Sequence, residues 1–174
     1  SKTYSSAFLV KGKATTEVLC AEHITNPDEV VECARSKYLT ISQEKSVSYI
    51  MEHPSEKVIL VGCGCAIQTI LNIISKCKLK RENYLLIGLF CDKTMNYGVI
   101  DYFMQHPAAH KKELSDVLFR TKSAGGWPGN LRLEFADGTY VDLPIEERGK
   151  IKDYFMPERC LYCTDKLNKQ CDIS

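Results

Sequence analysis

Two short apolar runs, each ending near a cysteine, constrain the fold of this chain more than any other feature. Residues 57–61 are β-branched and almost uninterrupted, which predicts a buried strand, and residues 84–90 predict a second one. Between them, residues 66–75 repeat isoleucine and leucine at helical spacing. A strand, a helix and a strand in this order predict a β-α-β unit with a right-handed crossover. We therefore expect an α/β fold, with this unit at the centre of a mixed sheet.

Flanking segments carry the signals of β-hairpins. Residues 7–10 and 15–21 surround a Lys-Gly-Lys turn and predict a first hairpin. Asp137 and Gly138 separate two alternating runs and predict a second. A glycine-rich loop is predicted before it, over residues 125–129.

Helix signals also flank the central unit. Asn26 is followed by a proline and two acidic residues, which is typical of a helix start. The predicted helices cover residues 27–35, 42–54 and 98–104. The second should turn Val47, Ile50 and Met51 towards the core.

Composition excludes several classes of protein. The 174 residues are 44% hydrophobic and 26% charged, which predicts one soluble globular domain over residues 1–174. A net charge of +1 disfavours a nucleic-acid or acidic-membrane surface. The cysteine count of nine is odd, and neither a leader nor an apolar stretch of about eighteen residues is visible. We expect a reduced, cytoplasmic protein without disulfides or a membrane span.

Four cysteines form the strongest candidate for a functional site. Cys65 follows the first central strand, Cys91 ends the second, and Cys160 and Cys163 form a Cys-x-x-Cys near the end of the sequence. Parallel strands present their carboxyl ends at one edge, where open α/β sheets bind ligands. A helix N-terminus at Cys65 would favour its thiolate. The arrangement predicts a four-thiolate metal or iron–sulfur site.

The glycines and the remaining thiols of this region define the alternatives. Gly62 and Gly64 leave the backbone open, so that an anion or a sulfide has access to amide N–H groups. Cys63 competes with Cys65 as a ligand, and Cys171 is a reserve candidate. Other chemistry-bearing residues are expected to pack or to face solvent: Cys20, Cys33, Cys77, His106 and His110.

Several ordered stretches resemble the C-terminal domain of the beta subunit of coenzyme F420 hydrogenases and dehydrogenases. They cover most of the chain from Tyr38 onwards, and their ordered spacing makes the resemblance specific. They are Ser36-Lys37-Tyr38, the turn over residues 61–67, Gly88-Leu89-Phe90-Cys91, Phe119-Arg120-Thr121-Lys122 with Gly126-Trp127, and residues 160–166 running into Asp172-Ile173-Ser174.

This resemblance implies an iron–sulfur flavoprotein that binds FAD and one 4Fe–4S cluster. Electrons would pass between the cluster and, through the flavin, a hydride acceptor or donor of the coenzyme F420 type. The cluster ligands would be Cys65, Cys91, Cys160 and Cys163. The flavin or coenzyme would lie near Ser36, Lys37 and Tyr38, with a redox protein or hydrogenase subunit as partner.

The sequence departs from the family pattern in two ways. Cys63, Gly64 and Ala66 stand where the family usually has threonine, proline and glutamine. The ends also look truncated relative to the family, which predicts an excised part of a longer flavin-dependent oxidoreductase.

Two other functions compete with electron transfer at this stage. Four thiolates suit tetrahedral zinc equally well, which would make the chain a structural zinc module. A metal-free α/β scaffold with reduced thiols is the third possibility. No residue is assigned a catalytic role.

Overall fold

Two β-sheets form the framework of the protein in a computed structural model that describes residues 3–122 and 126–174. The first sheet has the strand order β2-β1-β3-β4, and the second has the order β5-β6-β7. The strands are β1 (Ser6–Val10), β2 (Ala21–Ile24), β3 (Val58–Cys63), β4 (Tyr84–Leu89), β5 (Leu114–Thr121), β6 (Asn130–Phe135) and β7 (Tyr140–Leu143). The α-helices are α1 (Glu44–Glu52), α2 (Gly64–Lys76), α3 (Gly98–Met104) and α4 (Ile145–Ile151), and 3-10 turns cover Pro27–Cys33, Arg81–Asn83 and Glu158–Cys160.

The predicted β-α-β unit is confirmed. Strands β3 and β4 pair in parallel from Val58 opposite Tyr84 to Cys63 opposite Leu89, and α2 connects them. Strand β1 also pairs in parallel with β3, whereas β1 and β2 are antiparallel. The sheet is therefore mixed, and the predicted α/β fold class is correct.

One face of the first sheet carries a hydrophobic core. Phe8, Leu60 and Leu86 lie in one row across β1, β3 and β4, and they pack with Ile67 and Ile70 of α2. The burial of β3 alternates between buried and partly buried residues along the strand. The predicted buried strand is therefore fully buried on one face and partly buried on the other.

A second core lies between the antiparallel sheet and α3. Val99 and Phe103 of the helix join Phe119 and Leu131 of the strands in one buried cluster. The hairpin predicted around Asp137 and Gly138 is confirmed as β6 and β7, and α3 has the predicted bounds. Strand β5 and helix α4 were not predicted.

The loop predicted over residues 125–129 precedes β6. Residue 125 lies outside the described residues, and residues 126–128 form bends before β6.

Local differences from the sequence predictions lie mainly in the first fifty residues. The second strand of the first hairpin begins at Ala21, because the backbone N–H of Leu19 is held by the Tyr97 hydroxyl at 2.7 Å. Asn26 caps a 3-10 turn, accepting a hydrogen bond from the Asp28 N–H at 3.0 Å. In α1 the side chain of Ile50 is buried as predicted, but Met51 is 53% exposed.

Among the described residues, no helix has both the length and the apolar character needed to cross a bilayer.

Candidate metal centre

The ends of β3 and β4 bring three thiols to one edge of the sheet. Cys63 is the last residue of β3 and the N-cap of α2, and Cys65 lies in the first turn of that helix. Cys91 follows β4 by two residues, and Leu89 stands opposite Cys63 in the parallel register. The strand ends therefore meet at this edge, as expected for a parallel pair.

The Cys-x-x-Cys reaches the same region from the C-terminal part of the chain. Cys160 ends a 3-10 turn, and the backbone N–H of Cys163 points back to its carbonyl at 3.5 Å. The Thr94 hydroxyl lies 3.9 Å from the Cys160 sulfur. The Cys91 N–H donates to the carbonyl of Lys166 at 3.0 Å, which joins the two cysteine-bearing segments.

Five thiols at this edge influence one another electrostatically. A hydrogen bond between the Cys63 and Cys91 thiols lowers the pKa of Cys63 and, together with burial, raises that of Cys91 far above its usual range. The charged forms of Cys65, Cys160 and Cys163 oppose ionisation of Cys63. These five thiols are referred to below as the thiol site.

Cys65 does not have the depressed pKa expected at a helix N-terminus. Desolvation of its sulfur raises the pKa of Cys65, although the residue as a whole is exposed. The positive charge of Arg159 lowers this pKa by a smaller amount. Desolvation of a thiolate therefore outweighs the helix terminus here. Cys63, the N-cap residue, has the lowered pKa instead.

The donor chemistry of the thiol site fits a thiolate-bound cofactor. Within the described residues, no three cysteine, histidine or carboxylate side chains are close enough together to hold a single metal ion. Sulfur ligands of this number are nevertheless the donors that iron–sulfur clusters and structural zinc require. Ligation would need the thiols to turn towards a common centre.

The two glycines of the turn are covered by the C-terminal segment. A Cβ atom at Gly64 would lie 2.5 Å from the backbone oxygen of Asp165. The carbonyl of Gly62 accepts a buried hydrogen bond from the Asn168 side chain at 2.8 Å. The space predicted for an anion beside Gly64 is thus filled by protein, and cofactor binding by Gly62 and Gly64 stays a prediction.

The other cysteines and histidines lie on different parts of the fold. Cys77 caps the C-terminal end of α2, about 20 Å from its start at a rise of roughly 1.5 Å per residue. Cys20 lies at a bridge to Ser42. His106 and His110 lie in a turn after α3, in which the His110 N–H donates to the His106 carbonyl at 3.0 Å.

A basic cavity lies beside the predicted cofactor segment. It has a volume of about 320 Å³, and Ser36 and Lys37 line it. Its cationic side chains are Lys11, Lys13, Arg35, Lys37 and Arg120, and its acidic ones are Glu32 and Asp116. Burial lowers the pKa of Lys37. Arg35 has a φ of 81°, a left-handed conformation that is costly for a residue other than glycine.

Tyr38 lies next to this cavity, and its ring contacts two guanidinium groups. The Arg120 guanidinium is 5.2 Å and that of Arg148 is 4.5 Å from the ring centre. Arg120 also lies 5.9 Å from the Trp127 ring, and Phe119 contacts Tyr38 edge-on at 5.8 Å. Cation–π contacts of this kind hold planar groups in fixed orientations.

A short stretch of backbone connects the cavity with the thiol site. The carbonyl of Tyr38 accepts a hydrogen bond from the Met95 N–H at 2.8 Å. Thr94, the preceding residue, contacts Cys160. Residues 91–95 therefore link the two regions directly.

Sequence reasoning missed several residues of these regions. Arg148, Arg159 and Asn168 are far from their partners along the chain, so no local pattern marks them. Asp165 and Asp172 belong to the C-terminal stretch that resembles the family, but they were assigned no role. A run of short polar residues after a Cys-x-x-Cys was the available signal for that segment.

Comparison with known proteins gives a consistent relationship. Residues 55–174 match the family described as the C-terminus of the coenzyme F420 hydrogenase/dehydrogenase beta subunit. A similar curated protein is the coenzyme F420 hydrogenase subunit beta of Methanococcus voltae, which is 29% identical over 156 residues, covering 86% of this chain and 51% of the relative.

Similarity to a solved structure extends over nearly the whole chain. A chain from the xenon-derivatised F420-reducing [NiFe] hydrogenase complex of Methanosarcina barkeri superposes with a TM-score of 0.65 at 12% identity. The match covers 97% of this chain and 56% of that one, and at this identity it supports the fold. The chain spans about half the length of both relatives. By its match over residues 55–174, the protein belongs to the coenzyme F420 hydrogenase/dehydrogenase beta subunit family.

Proposed function

We propose that this chain is the iron–sulfur electron-transfer domain of a flavin-dependent oxidoreductase. The observation that carries the proposal is the meeting of five electrostatically interacting thiols at the carboxyl ends of two parallel strands. Membership of the family supports an oxidoreductase-related role. Residues 1–174 would act as one domain, since Asp116 of the second sheet accepts a buried hydrogen bond from Ala14 beside the first.

Cys65, Cys91, Cys160 and Cys163 would hold a 4Fe–4S cluster. Such a cluster supplies one-electron transfer. The protein contributes the four sulfurs, limits access of water through partial burial of Cys91, Cys160 and Cys163, and places Arg159 near Cys65. Cys63 is the competing fifth thiol, and interaction with the Cys91 thiol lowers its pKa.

The basic cavity would bind the anionic part of FAD or of a coenzyme F420-type hydride acceptor. Ser36 and Lys37 line the cavity, and Tyr38 lies beside it. Lys37 is partly desolvated, and a bound phosphate or carboxylate would compensate the cost of burying its charge. Within the described residues, Arg120 and Arg148 form no ion pair with a carboxylate, so their charge is available to an anion.

A redox partner protein would dock over the thiol site in the cytoplasm. Large apolar side chains on the cysteine-bearing segments are exposed to solvent: Leu89 by 49%, Phe90 by 70%, Leu161 by 65% and Tyr162 by 76%. Exposed apolar groups concentrated in one region commonly mark a protein interface. A partner that buries them would also bring its own redox centre close to the cluster.

Metal and sulfide analysis tests the proposal. Protein purified without oxygen should contain about four iron and four acid-labile sulfide per chain, the stoichiometry of a cluster with four thiolate ligands. Stoichiometric zinc without sulfide would replace the electron-transfer function by a structural one. If the protein binds neither iron nor zinc after reconstitution, the chain is a scaffold without a redox role.

A further inference from the structure

The C-terminal strap, defined as residues 165–173, runs along the free edge of β4 and across the end of β3. Ile173 forms a parallel bridge with Ile87, and its carbonyl accepts the Gly88 N–H at 2.7 Å. The Leu86 N–H donates to the Asp172 carboxylate at 2.8 Å, and the Leu86 carbonyl accepts the Asp172 N–H at 2.9 Å. The strap thus extends the first sheet on the side of the thiol site.

Two glycines permit this close approach. A Cβ atom on Gly64 would lie 2.5 Å from the Asp165 backbone oxygen. A Cβ atom on Gly88 would lie 2.6 Å from both Asn168 Cγ and Cys171 Sγ. Such distances are shorter than real Cβ contacts, so any larger residue at either position must displace the strap.

Asn168 is the most deeply buried contact between the strap and the strand ends. It is 1% exposed, and its amide donates to the Gly62 carbonyl at 2.8 Å. Its φ of 57° is left-handed, a conformation that asparagine tolerates better than most residues. The backbone carbonyl of Asn168 accepts a hydrogen bond from the Cys171 thiol at 2.8 Å. One side chain therefore fixes the strap turn to the backbone that leads into Cys63.

We propose that Asn168 is a positioning residue of the thiol site. The strap begins two residues after Cys163, and the Lys166 carbonyl holds the Cys91 N–H at 3.0 Å. By anchoring the strap to Gly62, Asn168 sets the separation between the Cys160–Cys163 arm and the thiols at the strand ends. The thiol site then forms only while the strap is docked. The link to cluster retention rests on the proposed function, whereas the positioning of the thiols does not.

Cys171 supplies a reporter of strap docking that is separate from the proposed ligands. Its thiol is partly buried and bonded to the Asn168 carbonyl. Release of the strap should expose it to a maleimide, while Cys77 on the far end of α2 is exposed in either state. Alkylation rates resolved by peptide mass spectrometry therefore separate local release from general unfolding.

Two variants release the strap by independent routes. Asn168→Asp keeps the size of the side chain but removes the donor to Gly62. Gly64→Ala pushes against Asp165, the first residue of the strap. Gly149→Ala is the matched control, because no side chain or neighbouring element among the described residues lies within 4 Å of the added Cβ. Each variant should keep a cooperative thermal transition, which confirms that it is folded. Two readouts follow: Cys171 alkylation, and the yield of a short bis-maleimide cross-link between Cys91 and Cys163.

We expect Cys171 alkylation about tenfold faster in Asn168→Asp and Gly64→Ala, the size of effect associated with one lost buried hydrogen bond. The cross-link yield should fall in both variants and stay unchanged in Gly149→Ala. Unchanged Cys171 reactivity, or an unchanged cross-link yield with the strap released, would overturn the inference.

Iron content then separates the two proposals. Iron retention that falls together with the cross-link yield supports both. If wild-type protein takes up no iron, but the cross-link yield still falls in the two strap variants, the cluster proposal is refuted. The positioning role of Asn168 then still holds. Full iron retention in a variant with a released strap would contradict the requirement for docking.

Discussion

The half of the molecule around the first sheet and the half around the second sheet form their candidate sites through different interactions. The thiol site stands at the ends of the parallel strands β3 and β4, and backbone hydrogen bonds join this edge to the strap. The basic cavity lies against the antiparallel sheet and is lined by charged side chains, of which Arg120 also contacts the Tyr38 ring. The first has sulfur donors with cations and carboxylates around them, whereas the second has more cations than acids. Loss of a thiol should therefore act on metal retention alone, and loss of a cation on anion binding alone.

Removing a thiol from the thiol site should have the largest effect. Cys91→Ser and Cys160→Ser are each expected to abolish retention of iron, because a serine hydroxyl is a much poorer ligand for cluster iron than a soft thiolate. Cys20→Ser and Cys77→Ser remove thiols from other elements and should retain it. Iron and sulfide per chain after anaerobic reconstitution provide the measurement. Equal iron in all four variants would refute the ligand assignment.

Removing the charge of Lys37 should affect only ligand binding in the basic cavity. Lys37→Met is expected to weaken FAD binding about tenfold, the effect of one charge-assisted contact, and to leave iron content unchanged. Stability should not fall, since burial lowers the pKa of Lys37 and the charged form is disfavoured in the folded state. Lys80→Met removes an exposed charge and serves as the control. Flavin titration by fluorescence measures the affinity, and a parallel loss of iron would contradict the separation of the sites.

The pH dependence of this binding has a defined sign. Because the folded pKa of Lys37 is depressed, the ammonium loses its proton at a lower pH than it would in the unfolded chain. Anion affinity that depends on Lys37 should fall as pH rises through that lowered value, and Lys37→Met should remove this part of the pH profile.

How far each half could be predicted follows from the range of its interactions. Cys65 and Cys91 were placed at strand ends because periodicity and strand termination are local signals, and α3 was found for the same reason. Strand β5 was missed because Asp116 interrupts its apolar pattern. That buried carboxylate accepts a hydrogen bond from the backbone N–H of Ala14, 102 positions away, and no local pattern shows this partner.

Long-range pairs account for most of what sequence reasoning omitted. The contact between Tyr38 and Arg148 joins residues far apart in the chain, and the strap reaches Gly62 across 106 positions. Gly64 was interpreted as an opening for a ligand. A glycine that admits another part of the same chain has the same local signature, and only the fold distinguishes the two.

A tyrosine at each hydrophobic core differs in the hydrogen bonding of its hydroxyl, which permits a test on stability: Tyr97 is partly buried and Tyr84 is fully buried. Tyr97, packed against the second core, accepts the Leu19 N–H at 2.7 Å and donates to the Thr40 carbonyl at 3.1 Å. Tyr97→Phe leaves both groups without that partner and should cost about 1–3 kcal/mol of unfolding free energy. Urea denaturation measures the loss. A stability equal to wild type would mean that the connection between β1 and β2 does not depend on this hydroxyl.

The same substitution in the first core should have the smallest effect. Tyr84 opens β4 and is 2% exposed, and within the described part of the chain its hydroxyl has no hydrogen-bond partner. Tyr84→Phe removes a buried polar atom without breaking a bond, so stability should stay equal or rise by up to about 1 kcal/mol. Burial raises the pKa of Tyr84 above its value in the unfolded chain. Above about pH 10, the usual tyrosine pKa, the unfolded chain ionises first, so the free energy of unfolding falls as pH rises. Tyr84→Phe should therefore lose less stability than wild type in alkaline urea titrations. A destabilisation as large as that of Tyr97→Phe would show that the Tyr84 hydroxyl is bonded in solution and that the two cores do not differ in this respect.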